Sequence, residues 1–295
     1  MSWTARVPVM PPRAIVATII AFWLAANGWL FYREAWPYLR AGEPPPYSID
    51  LTEELGSANV HWEILKKDKV IGHAVSRVER QRDQTFKLHM TYRFEKLRVV
   101  ILDIRKLDGV YHVTEDGDLL GVSASAAVTM KDKRGSLDLD LEMKGRVEDG
   151  LLVPEVFFNN EKLALGDLKV KVAGQGGAIN PLHPLNRLKG LHVGRRWRIT
   201  LFDPLSALTQ ALGPQFQELA QSLEGISVRE LHAVVKADTL FWDNADVECF
   251  KIEYRVPGEA EPVASTWVRQ RDGLVLQQHS SHGLSELTLR RSPTR

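Results

Sequence analysis

The stretch TFKLHMTYRFE, Thr85 to Glu95, alternates without a break: Phe86, Leu88, Met90, Tyr92 and Phe94 fall on one face, Lys87, His89, Thr91 and Arg93 on the other. Successive strand side chains point to opposite faces, so this period of two reads as a half-buried β-strand. The same rule extends outward in both directions. SLDLDLEMKGRV sets Leu137, Leu139, Leu141 and Met143 against Asp138, Asp140, Glu142 and Lys144. GDLKVKVAG, RRWRITLF, CFKIEYRV, STWVRQ, GLVLQQHS and LSELTLRR are further segments of strand length. Lys67-Asp68-Lys69, Asp108-Gly109, Asp116-Gly117, Glu148-Asp149-Gly150 and Arg271-Asp272-Gly273 supply hairpin signals. Neighbouring strands are therefore expected to pair antiparallel, with one face of the sheet wet. No strand–helix–strand alternation argues for a parallel sheet. The expected class is mainly β, a curved, half-barrel-like antiparallel sheet with one or two short helices. Those helices are expected in DPLSALTQALGPQFQELAQSLEG, where Asp203 caps the start, Pro204 takes the first helical position and Gly213-Pro214 divides the two pieces.

Ahead of this pattern lies a different one. Ala14 to Tyr32, AIVATIIAFWLAANGWLFY, is nineteen residues without a charge. As a helix it would rise roughly 28 Å, close to the roughly 30 Å of a bilayer's hydrocarbon. Ile15, Ile19, Phe22, Trp23, Leu24, Trp29, Leu30 and Phe31 are its expected membrane-anchor residues. The run ends in Trp29-Leu30-Phe31-Tyr32, a poor site for signal peptidase, so a retained anchor is expected over a cleaved signal. Arg6 and Arg13 precede it and Arg33 and Arg40 follow. The basic residues thus tie, and the short leading segment alone favours an inside start. The chain is then read as a cytoplasmic tail (1–13), a transmembrane anchor (14–32), a Pro-rich stalk (33–57) and an antiparallel β domain (58–291), with a subdivision near 174–194. The expected location is the inner (plasma) membrane, single-pass, with the bulk of the chain extracytoplasmic and the bilayer as first partner.

Lys plus Arg total 38 against 37 acids, which gives no electrostatic reason to expect nucleic acid. The single cysteine, Cys249, excludes an internal disulfide and reads as a small buried hydrophobe. AGQGGA lacks the Lys-Ser/Thr ending of a phosphate-binding loop. His279 and His282 in HSSH would point to opposite faces of a strand, with no third ligand nearby. Asp116, Asp118, Asp243 and Asp246 lack calcium-loop spacing and read as turn residues. Ser123, Ser125, Ser206 and Ser265 have no nucleophile-elbow context. No catalytic residue, cofactor or metal is expected, and the chain is read as a non-enzyme.

VHWEILKKDKVIGHAVSRVER forms a hairpin pattern with Gly72-x-Ala74, and STWVRQRDGLVLQQHSSHGLSELTLRR gives a Trp strand, an Asp-Gly turn and a Leu-rich strand. This order of elements resembles a broad, uncharacterised family of extracytoplasmic antiparallel-β proteins and, more loosely, the lipoprotein-carrier (LolA/LolB-like) single-sheet proteins. The resemblance implies a curved sheet around helices, with lipid or acyl groups bound in its concavity. The retained anchor and the lack of a lipobox cysteine depart from the carriers. The expected function is a membrane-anchored binding or envelope-assembly module with a lipid or acyl ligand. Two alternatives stand beside it: an accessory or structural subunit of a membrane protein complex, and an enzyme whose site is assembled in space. A deep apolar cavity would favour the first reading, a filled core with an exposed patch the second, and a cleft of converging carboxylates or histidines the third.

Overall fold

The protein's structure, a computed structural model, describes residues 13–32, 51, 59–99, 102–132, 135–163, 170–171, 185–200, 230–281 and 286–293. The chain divides into two compact units, Met1–Pro45 and Pro46–Arg295. The first holds helix α1 (Arg13–Leu30). The second holds strands β1 (Val60–Lys66), β2 (Lys69–Arg80), β3 (Phe86–Val99), β4 (Leu102–Val113), β5 (Leu119–Asp132), β6 (Gly135–Glu148), β7 (Leu151–Phe158), β8 (Glu161–Lys162), β9 (Val170–Lys171), β10 (Arg196–Thr200), β11 (Glu230–Trp242), β12 (Ala245–Arg255), β13 (Ala264–Arg269), β14 (Val275–Ser280) and β15 (Leu287–Arg291).

All fifteen strands among the described residues belong to one sheet, in the order β10-β11-β12-β13-β14-β15-β1-β2-β3-β4-β5-β6-β7-β8, with β9 also paired to β7. Every pairing is antiparallel, as hairpin connections require. The last strand lies beside the first: Leu289 pairs with Ile64 and Arg291 with Trp62. That junction fuses the two strand sets on either side of 174–194 into one sheet. β10 and β8 end the order, so among the described residues the sheet is not closed.

Local chemistry sets this register. Lys67 and Asp68 take φ of 49° and 62° between β1 and β2, and Asp149 and Gly150 take 51° and 74° between β6 and β7. Two positive φ values in a two-residue loop make the turn that matches strand twist. Asn159-Asn160 and Asp243-Asn244 do the same. Asp108-Gly109 is the exception among the expected turns. Both residues lie inside β4, where Gly109 pairs with Met90 and Ala124. Leu107, Gly109, Tyr111 and Val113 continue the alternation through the dipeptide, and Asp108 is held by the Thr91 hydroxyl at 2.7 Å. Cross-strand pairing there overrides the turn preference.

One hydrophobic cluster runs through the unit and joins residues near both ends of the strand order, Val156 of β7 and Trp197 of β10. Trp62, Trp197, Phe86, Ile64 and Leu88 are its largest fully buried members, and Phe86, Leu88 and Met90 sit in it as their alternation requires. Leu51 is also fully buried in this cluster. The packing therefore reaches back into the stretch expected to be stalk, before the start expected at 58. Residues 33–50, with the proline run, and the helices expected at 203–225 lie outside the described residues.

Helix α1 and the two residues after it carry exposed side chains throughout Ile19–Tyr32, among them Phe22, Trp23, Leu24, Trp29, Leu30 and Phe31. Asn27 donates its side-chain amide to the Trp23 carbonyl at 2.8 Å. Among the described residues no helix is long and apolar enough to cross a membrane. The eighteen residues of α1 rise about 27 Å, begin at Arg13 and include Asn27 and Gly28. The transmembrane expectation thus finds no support in the helix as described.

Candidate functional site

The residues singled out in sequence scatter over the sheet. Asp116 and Asp118 belong to the β4–β5 turn, closed by Asp118 donating its backbone N–H to Thr114 Oγ1 at 3.0 Å. Asp243 sits in the β11–β12 turn and Asp246 lies in β12, paired with Phe241, several strands away from Asp116 in the sheet order. Among the described residues no three His, Cys, Asp or Glu side chains gather to hold a metal ion. Ser123 and Ser125 lie on β5; Ser206 and His282 are outside the described residues. Cys249 is fully buried, and that burial, with Asp238 beside it, pushes its thiol up to about 11. It stays protonated and inert at neutral pH, as a buried hydrophobe should.

Ser265 does sit in suggestive company. It pairs with Glu253 on one side and His279 on the other, so the three share one row of one face. The imidazole is committed elsewhere: His279 Nδ1 meets Thr288 Oγ1 at 3.0 Å, and Nε2 lies 3.9 Å from Glu286. The row is not an assembled nucleophile and base.

What the row does contain is a buried carboxylate with three cations on it. Alternation in β12 places Lys251, Glu253 and Arg255 on the face opposite Ile252 and Tyr254. Register then brings Lys236 of β11 directly against Lys251, and Val234 against Glu253. The Glu253 side chain is 8 % exposed, yet Lys236 Nζ lies 2.7 Å from Oε2, Arg255 Nη2 2.6 Å from Oε2, and Lys251 Nζ 3.6 Å from Oε1. Burial pushes this carboxyl up, but the Lys236 contact and the charges of Lys236, Arg255 and Lys251 outweigh it. The net effect is a value held below the ordinary one. Trp267 of β13 closes the group. Its ring lies under Lys251 Nζ at 5.1 Å, and its indole N–H donates to Asp238 Oδ2 at 2.9 Å. Arg196 of β10 extends the row, paired to Val234.

The inner wall of the same strands is different. Thr266, Gln278 and Ser280 are buried there amid Ile252, Val268, Val275 and Leu289. Thr266 pairs with Gln278. The Thr266 hydroxyl finds no hydrogen-bond partner among the described residues, whereas on β1 and β2 Trp62 donates its indole N–H to Ser76 at 3.1 Å. Among the described residues the wall is otherwise mostly apolar, and Trp62, Leu88, Trp197, Ile252 and Val275 are all within 2 % of full burial.

Sequence reasoning missed the Glu253 cluster because its members come from separate strands and look like ordinary polar-face residues. Only Lys251, Glu253 and Arg255 carried a signal, as cation–acid–cation at spacing two. No family model, curated protein or solved structure matches the chain. The likeness to the lipoprotein-carrier type therefore rests on the order of elements alone.

Proposed function

We propose that the chain is a membrane-attached, extracytoplasmic binding module. Its β unit meets an anionic partner with the outer face of β10–β13, as an accessory or assembly component, and its α1 segment associates with the bilayer. The observation that carries this reading is the distribution of burial. The inner wall is a packed core, while the Glu253 cations keep their heads at the surface, with Lys236 half-exposed. An acyl chain needs an open concavity, whereas a charged partner needs only the face that is offered. A half-barrel curvature is supported by the single core cluster that joins β7 to β10. Membrane association is supported by the large apolar side chains exposed along α1, which water does not favour. The intrahelical bond of Asn27 lowers the cost of placing that residue in an apolar medium.

Alkaline extraction of membranes tests the attachment: full-length protein stays in the pellet, whereas a 46–295 fragment is released. Release of the full chain would remove the membrane from this reading. A fluorescent fatty-acyl probe titrated into full-length protein in neutral detergent tests the working face. Saturable uptake, blocked by Ala126→Trp on the inner wall, would return that role to the interior. One observation favours that second reading, lipid or acyl binding inside: the partnerless Thr266 hydroxyl lies on an apolar wall, where a ligand's polar head would meet it.

A further inference from the structure

We propose that Lys236, Lys251 and Arg255, gathered on Glu253, form a binding site for a phosphate-class oxyanion. The proposal deepens the outer-face reading above and rests on it. Three cations answer to a single carboxylate. A carboxylate has about four acceptor sites, but its one negative charge balances one cation, so the other two bring mutual repulsion that Glu253 alone does not offset. The cluster is accordingly short of acceptors: Arg255 Nε is buried with no acceptor among the described residues. The neighbouring Asp238 accepts from the Trp267 indole and from the Thr239 backbone N–H, and makes no ion pair with the three cations among the described residues.

Geometry favours a ligand on the solvent side. Glu253 lies beneath at 8 % exposure, and above it the Lys236, Arg255 and Lys251 side chains are 50 %, 35 % and 26 % exposed. A lysine ammonium carries several donors, so contact with Glu253 leaves others facing outward. All three cations stand on paired strands and not on loops, and the Trp267 ring steadies Lys251. That rigidity pre-orders the donors. The three cations exceed Glu253 and the neighbouring Asp238 by one positive charge, and their donors, carried on two strands, match an anion with oxygens on several faces. A phosphate monoester has that shape, and a single carboxylate lacks it. The same chemistry is found in free phosphate and in a lipid headgroup.

The test uses full-length protein in neutral detergent, with isothermal titration calorimetry as the readout. Inorganic phosphate and glycerol phosphate are titrated separately at constant ionic strength. Both should give saturable changes, with Arg255→Gln or Lys236→Gln weakening them at least about tenfold, the scale of one charge-assisted contact. Tighter binding of glycerol phosphate supports a headgroup source, and equal binding supports free phosphate. Glu253→Gln should tighten phosphate by removing the competing anion, provided circular dichroism shows the sheet intact. No saturable change up to roughly 10 mM, well above the millimolar weak-binding range, would overturn the site. So would retention of wild-type affinity in both cation variants. Neither result would disturb the outer-face reading, which the acyl-probe titration decides independently.

Discussion

Strands β2 to β7 and strands β12 to β14 belong to one sheet but obey different rules. β7 buries Leu152, Pro154 and Val156 and turns the residues between them outward, and β2 alternates in the same way through Gly72, Ala74 and Ser76. In β13 the pattern fails: Ala264, Ser265, Thr266, Val268 and Arg269 are all buried, whichever face they occupy. β14 buries Val275, Leu276, Gln278 and Ser280. The first region is a one-sided sheet of the kind alternation describes. In the second, small and polar residues of the outer face, Glu253 and Ser265 among them, are buried between larger, partly exposed neighbours such as Lys251, Arg255 and Trp267. Glu253, Thr266, Arg269 and Gln278 are buried in or beside it. Both candidate features, the Glu253 cluster and the inner polar group, occur in this second region, where the fold tolerates chemistry that a plain core would exclude.

The largest effect tests whether the two regions share one core. Trp62→Ala should cost about 3–5 kcal/mol. Because Trp62 belongs to the cluster that spans both, the protein should still melt in one transition; two separated transitions by calorimetry would break that unity. Gly72→Ala probes the one-sided region. A Cβ there would lie 2.2 Å from the Arg93 carbonyl oxygen, so β2 and β3 must part, at a cost of about 1–3 kcal/mol as for overpacking. A denaturant midpoint equal to wild type would contradict the close approach.

The same substitution in each region sharpens the contrast. Ser265→Leu must enlarge a buried position and should cost about 1–3 kcal/mol. Ser125→Leu on the exposed side of β5 should stay within about 0.5 kcal/mol. Equal shifts in urea midpoint would erase the distinction.

Acid offers a gentler probe. The Glu253 carboxyl is depressed in the folded state, so its contribution is fully present above the ordinary glutamate value of about 4.3. It is lost as pH falls through the lower folded value. Thermal melts across roughly pH 3–6, bracketing that ordinary value, should therefore show a shallower acid decline in Glu253→Gln than in wild type. Smallest of all, Thr266→Val should be neutral or stabilising by up to about 1 kcal/mol, since it removes a buried hydroxyl without a protein partner. Clear destabilisation would mean that something inside uses that hydroxyl.

The strands were legible because hydrophobic period and turn chemistry are local properties. Phe86 to Phe94, Leu139 and Met143 could be assigned to the inner face from spacing alone, and Lys67-Asp68 and Asp149-Gly150 could be assigned as turns. Asp108-Gly109 was misread for the same local reason: its dipeptide favours a turn, and only the pairing of Gly109 with Met90 and Ala124 shows that the strand runs through it. The Glu253 site was not legible, since Lys236 and Lys251 meet only through antiparallel register.

By itself, then, the sequence determined that this is an antiparallel β protein led by an uncharged apolar run, because each residue's preference for water or oil repeats at the spacing of the backbone. Tertiary structure alone decided that the last strand joins the first, that polar residues of β12–β14 are buried on both faces, and that three cations share one buried acid. Those outcomes depend on which strands lie side by side, and strand neighbours distant in sequence leave no periodic mark in it.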